Sequence, residues 1–141
     1  MSPVRRLSDR HPYEVYLLTW ALITSTPGAL GFATVPGSLR GQLPEWAART
    51  WAVTLMVGAA TALVGLAWRR PKATRLSVTG LSLEQIGLVT TGCATVFYSA
   101  AALLAAGLTA IVPVGVTLAF GLASFAQALK IERVLRAVRS T

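Results

Sequence analysis

The residues that could do chemistry in this chain are few, and their spacing limits what that chemistry can be. Two acids, Glu14 and Glu84, stand at the edges of long apolar runs. Carboxylates so placed can bind a proton or a cation as a pair. Equally, each can sit at the positive end of a helix dipole and pair with nearby basic residues, here Arg69, Arg70 and Lys130. A second group, Thr91, Thr95, Tyr98 and Ser99, puts hydroxyls along one apolar run. Such a stripe can face a polar lumen or another subunit, or its hydroxyls can bond to carbonyls four residues back in their own helix. Arg49 lies just inside the start of a second run and can snorkel to the interface. The single cysteine, Cys93, rules out an internal disulfide and reads as a small buried apolar residue. His11 has no companion ligands, so no metal site is expected. No serine–histidine–acid set, Gly-rich phosphate loop or HExxH motif is present. Neither enzymatic activity nor a cofactor is expected.

The elements that carry these residues follow from composition. Of 141 residues, 54% are hydrophobic and 13% charged, against about 25% charged in an ordinary soluble domain. So few charges do not cover the surface of a water-soluble globule of this length. The net charge of +8 would suit nucleic acid, but the basic residues form short clusters between apolar runs, without aromatic interleaving or a binding motif. Nucleic acid is therefore not an expected partner. A bilayer core about 30 Å thick takes roughly 20 helical residues. Four stretches meet that length, residues 12–35, 46–68, 83–106 and 112–129. They are rich in alanine and leucine and lack the alternation of a membrane barrel. The expected fold is an all-α integral membrane protein of four transmembrane helices, arranged as two hairpins.

Local signals fix the ends. Pro12 and Glu14 suit the first turn of helix one. Thr26-Pro27-Gly28 should kink that helix or end it early. Pro44 and Glu45 open helix two. Ser82 and Gln85 have capping-box spacing for a start of helix three near residue 83. Trp46, Trp51 and Trp68 fall near the ends of segment two, where indole rings favour the interface. Gly107 and Thr109 join segments three and four in a tight hairpin, with Pro113 opening the fourth. The basic start followed by an apolar run also suits a cleaved signal peptide, but the length of the apolar region favours a membrane helix.

Orientation follows from the loops. Arg5, Arg6 and Arg10 lie in the tail 1–11. Arg69, Arg70, Lys72 and Arg75 lie in the loop 69–82, and Lys130, Arg133, Arg136 and Arg139 in the tail 130–141. The other side holds Arg40 and Arg49, a split of eleven to two. The positive-inside rule then puts both termini in the cytoplasm of a bacterial cell, with the chain in the cytoplasmic membrane. The tail also has helical spacing, with Ile131, Val134, Leu135 and Val138 on one face and its basic residues on the other. It can continue helix four into the cytoplasm, bind a partner, or lie on anionic headgroups.

Small residues are the expected packing elements, because helices in lipid associate by close contact. The candidates are Gly58, Ala62 and Gly65 in segment two, Gly87 in segment three, and Gly115, Ala119 and Gly121 in segment four. They either pack the four helices together or present a face to another subunit, making a homo-oligomer or a contact within a larger complex.

With eleven arginines to two lysines, short loops and the basic amphipathic end Lys130–Arg139, the layout resembles small four-helix membrane proteins of actinobacteria and their phages, holin-like lysis proteins among them. The resemblance implies oligomerisation and pore formation through Gly58/Ala62, Gly115/Ala119 and the hydroxyl stripe. A non-enzymatic accessory subunit of a membrane complex would use the same faces for docking. The length, the four segments and Glu14 are also similar to small multidrug-resistance transporters, which carry a glutamate in helix one. Here Glu14 lies at the edge of its segment, the charge bias fixes one orientation, and that family's aromatic-rich pattern is not evident.

Overall fold

The computed structural model describes residues 12–31, 44–68 and 74–139. These are helical throughout apart from short ends. Helix α1 spans Pro12–Ala29, α2 Glu45–Ala67, α3 Thr74–Ala106 and α4 Ile111–Arg139, with a 3-10 turn, Gly107–Ala110, between α3 and α4.

Two stretches are long and apolar enough to cross a membrane, α2 and the run Val78–Ala137. The second comprises α3, the turn and α4. It doubles back at Gly107, whose φ of +57° is the left-handed conformation glycine adopts without a Cβ clash. Helix α1 is not among these stretches. Glu14, Thr19, Thr24, Ser25, Thr26 and Pro27 dilute its 18 residues, so segment one is less apolar than its length suggests.

Residue pairs set the packing. Gly58 meets Thr91, Ala62 meets Gly87, and Gly65 meets Glu84 and Gly80, so α2 and α3 run antiparallel. Gly92 meets Phe125, Gly121 meets Thr95, and Ser99 Oγ lies 2.7 Å from Thr117 Oγ1, so α3 and α4 also run antiparallel. Gly28 of α1 packs on Ala52 of α2. The main core joins Leu18 and Ala21 of α1, Leu55, Ala59 and Ala62 of α2, Leu81 and Leu88 of α3, and Ile131 and Leu135 of α4. A smaller cluster around Tyr98, Ala102, Ala110 and Val114 closes the end at the 3-10 turn. Outside, large apolar side chains stand exposed on every helix, including Ile23, Val57, Ile86, Val116 and Leu122. That much exposed apolar surface is what a lipid-facing protein carries and a soluble monomer avoids.

The boundaries differ from expectation in two places. Helix α1 stops at Ala29 rather than Val35. Pro27 supplies no amide donor, and the chain leaves the helix with Leu30 N–H donating to Thr26 O and Gly31 at φ +78°. Residues 32–35 lie outside the described residues. Helix α3 begins at Thr74, not near residue 83. Ser82 and Gln85 are therefore mid-helix, and the Ser82 hydroxyl donates to Val78 O at 3.0 Å instead of capping. The tail 130–139 is an uninterrupted continuation of α4. Two residues of its apolar face turn inward, Ile131 fully buried and Leu135 5% exposed, both within the main core. The early start of α3 supplies Val78 and Leu81 as part of the surface they pack on.

Candidate functional site

Helix α3 packs closely on both α2 and α4, and α1 packs along α2, whereas α4 touches α1 and α2 sparsely among the described residues. Near its start α1 is tied to α4, where Gln127 Nε2 donates to Glu14 Oε2 at 3.4 Å. Toward the C-terminal end of α1, residues of both helices line a common space. The space between them is a cavity of about 590 Å³, in the half of the molecule that holds the start of α2 and the α3–α4 turn.

The cavity is graded in character. At the end where α2 begins, Glu45 and Arg49 stand exposed one helical turn apart, beside Gly31 and Pro113. Four hydroxyls, Thr24, Ser25, Thr95 and Thr117, lie along the wall, and Leu17, Leu55 and Phe120 close the inner end. Aromatic rings come from Trp20, Trp51 and Tyr98. The last two stack at 5.0 Å between centroids with planes 29° apart, the offset geometry that ring quadrupoles favour. The Trp51 indole is fixed by a bond from Nε1 to Ala94 O at 2.9 Å.

The hydroxyls are also fixed. Thr24 Oγ1 donates to Trp20 O at 2.8 Å, Ser25 Oγ to Ala21 O at 2.7 Å, Thr95 Oγ1 to Gly92 O at 2.9 Å, and Thr117 Oγ1 to Pro113 O at 2.9 Å. Each is the back-bonding expected of serine or threonine in a helix. A hydroxyl has one hydrogen and two lone pairs, so where Ser99 Oγ and Thr117 Oγ1 meet at 2.7 Å one of the two donates to the other.

The hydroxyl stripe read from sequence is buried but divides among neighbours. Thr95 and Tyr98 reach the cavity. Thr91 lies against Gly58, its Oγ1 without a hydrogen-bond partner, and Ser99 bonds toward Thr117. The seven small residues also divide. Gly58, Ala62, Gly65, Gly87 and Gly121 sit inside the chain's own helix contacts, whereas Gly115 has open space around its α-carbon and Ala119 is exposed. Glu14 reaches Gln127 of α4 rather than standing alone at a helix start. Glu84, expected at a boundary, is only 2% exposed and lies ten residues into α3 against Gly65. Lys130, Arg133 and Arg136 are exposed on α4, with Arg136 paired to Glu132 one turn back. Arg69 and Arg70 lie outside the described residues, as do the side chain of Arg139 and the tail 1–11. Neither predicted acid lines the cavity, and Cys93, expected to be buried, is exposed on α3.

Trp20, Thr24, Trp51, Thr117 and Phe120 are the cavity residues that sequence reasoning missed. The signal lay in polar residues inside apolar runs on two different helices, Thr24/Ser25 and Thr117, which only a fold could pair. Among the described residues no group of histidine, cysteine or acid side chains could hold a metal.

The class defined so far is an all-helical chain with two membrane-capable stretches and an aromatic-lined cavity between its helices. Comparison with known protein families, curated proteins and solved structures finds no match to it.

Proposed function

We propose that this chain is an integral protein of the bacterial cytoplasmic membrane that binds a small organic molecule between four membrane-crossing helices, as a carrier does. The single observation that carries this reading is the cavity. Its size falls within the roughly 300–1,000 Å³ of small-molecule sites, and it combines apolar and aromatic walls with a few placed polar groups. Both termini are taken as cytoplasmic from the eleven-to-two charge split, which puts the Glu45/Arg49 end of the cavity on the outer side. The paired ends of α3 and α4 then project into the cytoplasm, where Lys130, Arg133 and Arg136 face anionic headgroups or a partner.

Cavity filling tests this. The Thr24→Phe variant places a ring in the cavity from an exposed position on α1. In lipid nanodiscs, the unaltered protein should bind apolar aromatic molecules saturably, read from tryptophan fluorescence, and Thr24→Phe should bind them at least about tenfold more weakly. Equal binding by both would defeat the reading.

A holin-like pore or an accessory subunit remains a second reading, supported by the outward face at Gly115 and Ala119. For these readings the informative substitution is Gly115→Leu alone, because Gly58 is consumed inside the chain. Depolarisation of the bacterial membrane on expression, lost in Gly115→Leu, would favour the pore. A stoichiometric protein partner lost in the same variant would favour the accessory subunit.

A further inference from the structure

The two ends of the cavity differ in kind, and its middle does not select. Along the middle, the hydroxyls of Thr24, Thr95 and Thr117 and the indole of Trp20 supply both acceptors and donors among ring faces. The inner end, at Leu17, Leu55 and Phe120, is apolar. At the opposite end α2 presents a carboxylate and a guanidinium one turn apart, Glu45 and Arg49, both exposed. The guanidinium carbon of Arg49 stands 4.0 Å from the place a Cβ on Gly31 would take. Arg49 therefore reaches from α2 to the end of α1, at the mouth between them. From Leu17 to Gly28 the cavity follows α1 for eleven residues, about 16 Å at the rise of an α-helix. That is about the depth of one leaflet in a bilayer whose core is about 30 Å thick. The cavity is also open at its side, where its lining residues Trp20 and Thr24 of α1 and Pro113 and Val116 of α4 are exposed.

Resting on the reading of this cavity as a ligand site, we infer that its ligand is an elongate zwitterionic amphiphile of the outer leaflet. Its head sits at Glu45 and Arg49, and its apolar body runs along the cavity to Phe120. A head of one sign meets one opposite charge and, a turn away, a like charge that offsets the gain. A head with both an ammonium and an acidic oxygen group, such as an amino-alcohol phosphate ester, gives each protein charge a partner. A neutral head gains neither contact. The apolar body covers Leu17, Leu55 and Phe120 and lies beside the Trp51–Tyr98 stack, surface that a compact solute with the same head leaves bare. The side opening faces lipid, so an amphiphile enters between α1 and α4 with its head still at the interface. Its charges then never cross the apolar core, the costly step for any ionised ligand in a membrane.

Three probes with one dodecyl chain separate the possibilities: dodecylphosphocholine, dodecyl phosphate and dodecyltrimethylammonium. Each is titrated below its micelle-forming concentration into phosphatidylglycerol nanodiscs holding the full chain, and binding is read from tryptophan fluorescence. Empty nanodiscs give the reference for partitioning, and Thr24→Phe is the filled-cavity control. The phosphocholine probe should bind about fivefold tighter than either singly charged probe, the discrimination expected of one exposed ion pair. Glu45→Gln should bring dodecyl phosphate level with it, and Arg49→Gln should do the same for dodecyltrimethylammonium. A misfolded variant would lose all three probes together instead of giving this crossed pattern, and the ranking in the unaltered protein stands whatever either variant does. Free phosphocholine, the head without a body, should not bind at concentrations that saturate the dodecyl probe; binding as tight as that of the dodecyl probe overturns the amphiphile assignment. Equal binding of the three dodecyl probes overturns the head assignment and leaves the site standing. Tightest binding of dodecyl phosphate or of dodecyltrimethylammonium overturns it in favour of Arg49 or Glu45 acting alone. Saturable binding of none, or binding undiminished in Thr24→Phe, removes both the assignment and the proposed site.

Discussion

Replacing Gly87 by alanine should weaken this fold, and replacing Gly115 by alanine should strengthen it. A methyl group on Gly87 would lie 2.7 Å from both Gly58 O and Ala62 Cα, and closer still to Ala62 N. Ordinary contact is about 3.5–4.0 Å, so α3 must retreat from α2 by about 1 Å. The retreat is shared by the neighbouring contacts Gly58–Thr91 and Gly65–Glu84, because all three lie along one pair of rigid helices. A gap of about 0.5–1 Å forfeits a quarter to a half of the dispersion energy of the atoms facing it. Overpacking costs about 1–3 kcal/mol, and here the upper part of that range, about 2–3 kcal/mol, because the atoms met are backbone and cannot rotate away. The better helix propensity of alanine returns about 1 kcal/mol, leaving a net loss of about 1–2 kcal/mol. At Gly115 nothing lies within 4 Å, so the propensity gain stands alone at about 0.5–1 kcal/mol. The two variants should therefore differ by about 2 kcal/mol. Equilibrium unfolding in mixed micelles, followed by circular dichroism, measures both. Equal stability of the two variants, or a Gly87→Ala protein as stable as the unaltered one, would refute the assignment of the α2–α3 contact as backbone-on-backbone.

Three further substitutions probe other parts of the structure. Ile131→Ala should cost about 2–5 kcal/mol, as for a large core side chain; a loss under about 0.5 kcal/mol in the same unfolding measurement would mean that the end of α4 does not pack in the core. Trp51→Phe removes the bond to Ala94 O while keeping a ring against Tyr98, and should lower stability by about 0.5–1.5 kcal/mol. Glu132→Gln breaks the exposed pair with Arg136 and should change the midpoint little, by at most about 0.5 kcal/mol; a larger loss would mean that the pair belongs to a network.

The sequence made the helices legible but not their ends or their neighbours. Long apolar runs and the Gly107 turn announce the α3–α4 hairpin because lipid leaves the backbone few alternatives. The start of α3 was harder to read. Thr74 to Ser82 is mixed in polarity, and the serine and glutamine near its end have the spacing of a cap. What decides the matter is tertiary: Leu81 and Val78 have Ile131 and Leu135 to pack on, and that surface exists only when α4 runs past the apolar stretch. The same pairing explains why Ile131 and Leu135 of the amphipathic tail lie in the core. Its apolar stripe has the right period for either fate, and the period says nothing about which apolar surface will cover it.

Gly58 and Gly115 make the limit concrete. Each sits in a membrane-length apolar run with an alanine four residues on, so by sequence they are equivalent. In the fold, one is pressed against Thr91 and the other faces outward. In lipid both faces of a helix are apolar, so the polarity contrast that marks the inside of a soluble protein is missing. The cavity was hidden for a related reason. It is not encoded by a motif: α1 meets α4 at Glu14 and Gln127 and ends at Ala29, and all four helices line the space beyond that contact. Its residues are scattered over four helices, and none has a spacing that points to another. What the sequence did contain is the set of hydroxyls in apolar runs, a cost in lipid unless each hydrogen is bonded. The structure puts each of these hydroxyls within reach of a carbonyl of its own helix, and only the fold puts Thr24 and Thr117 on the same space.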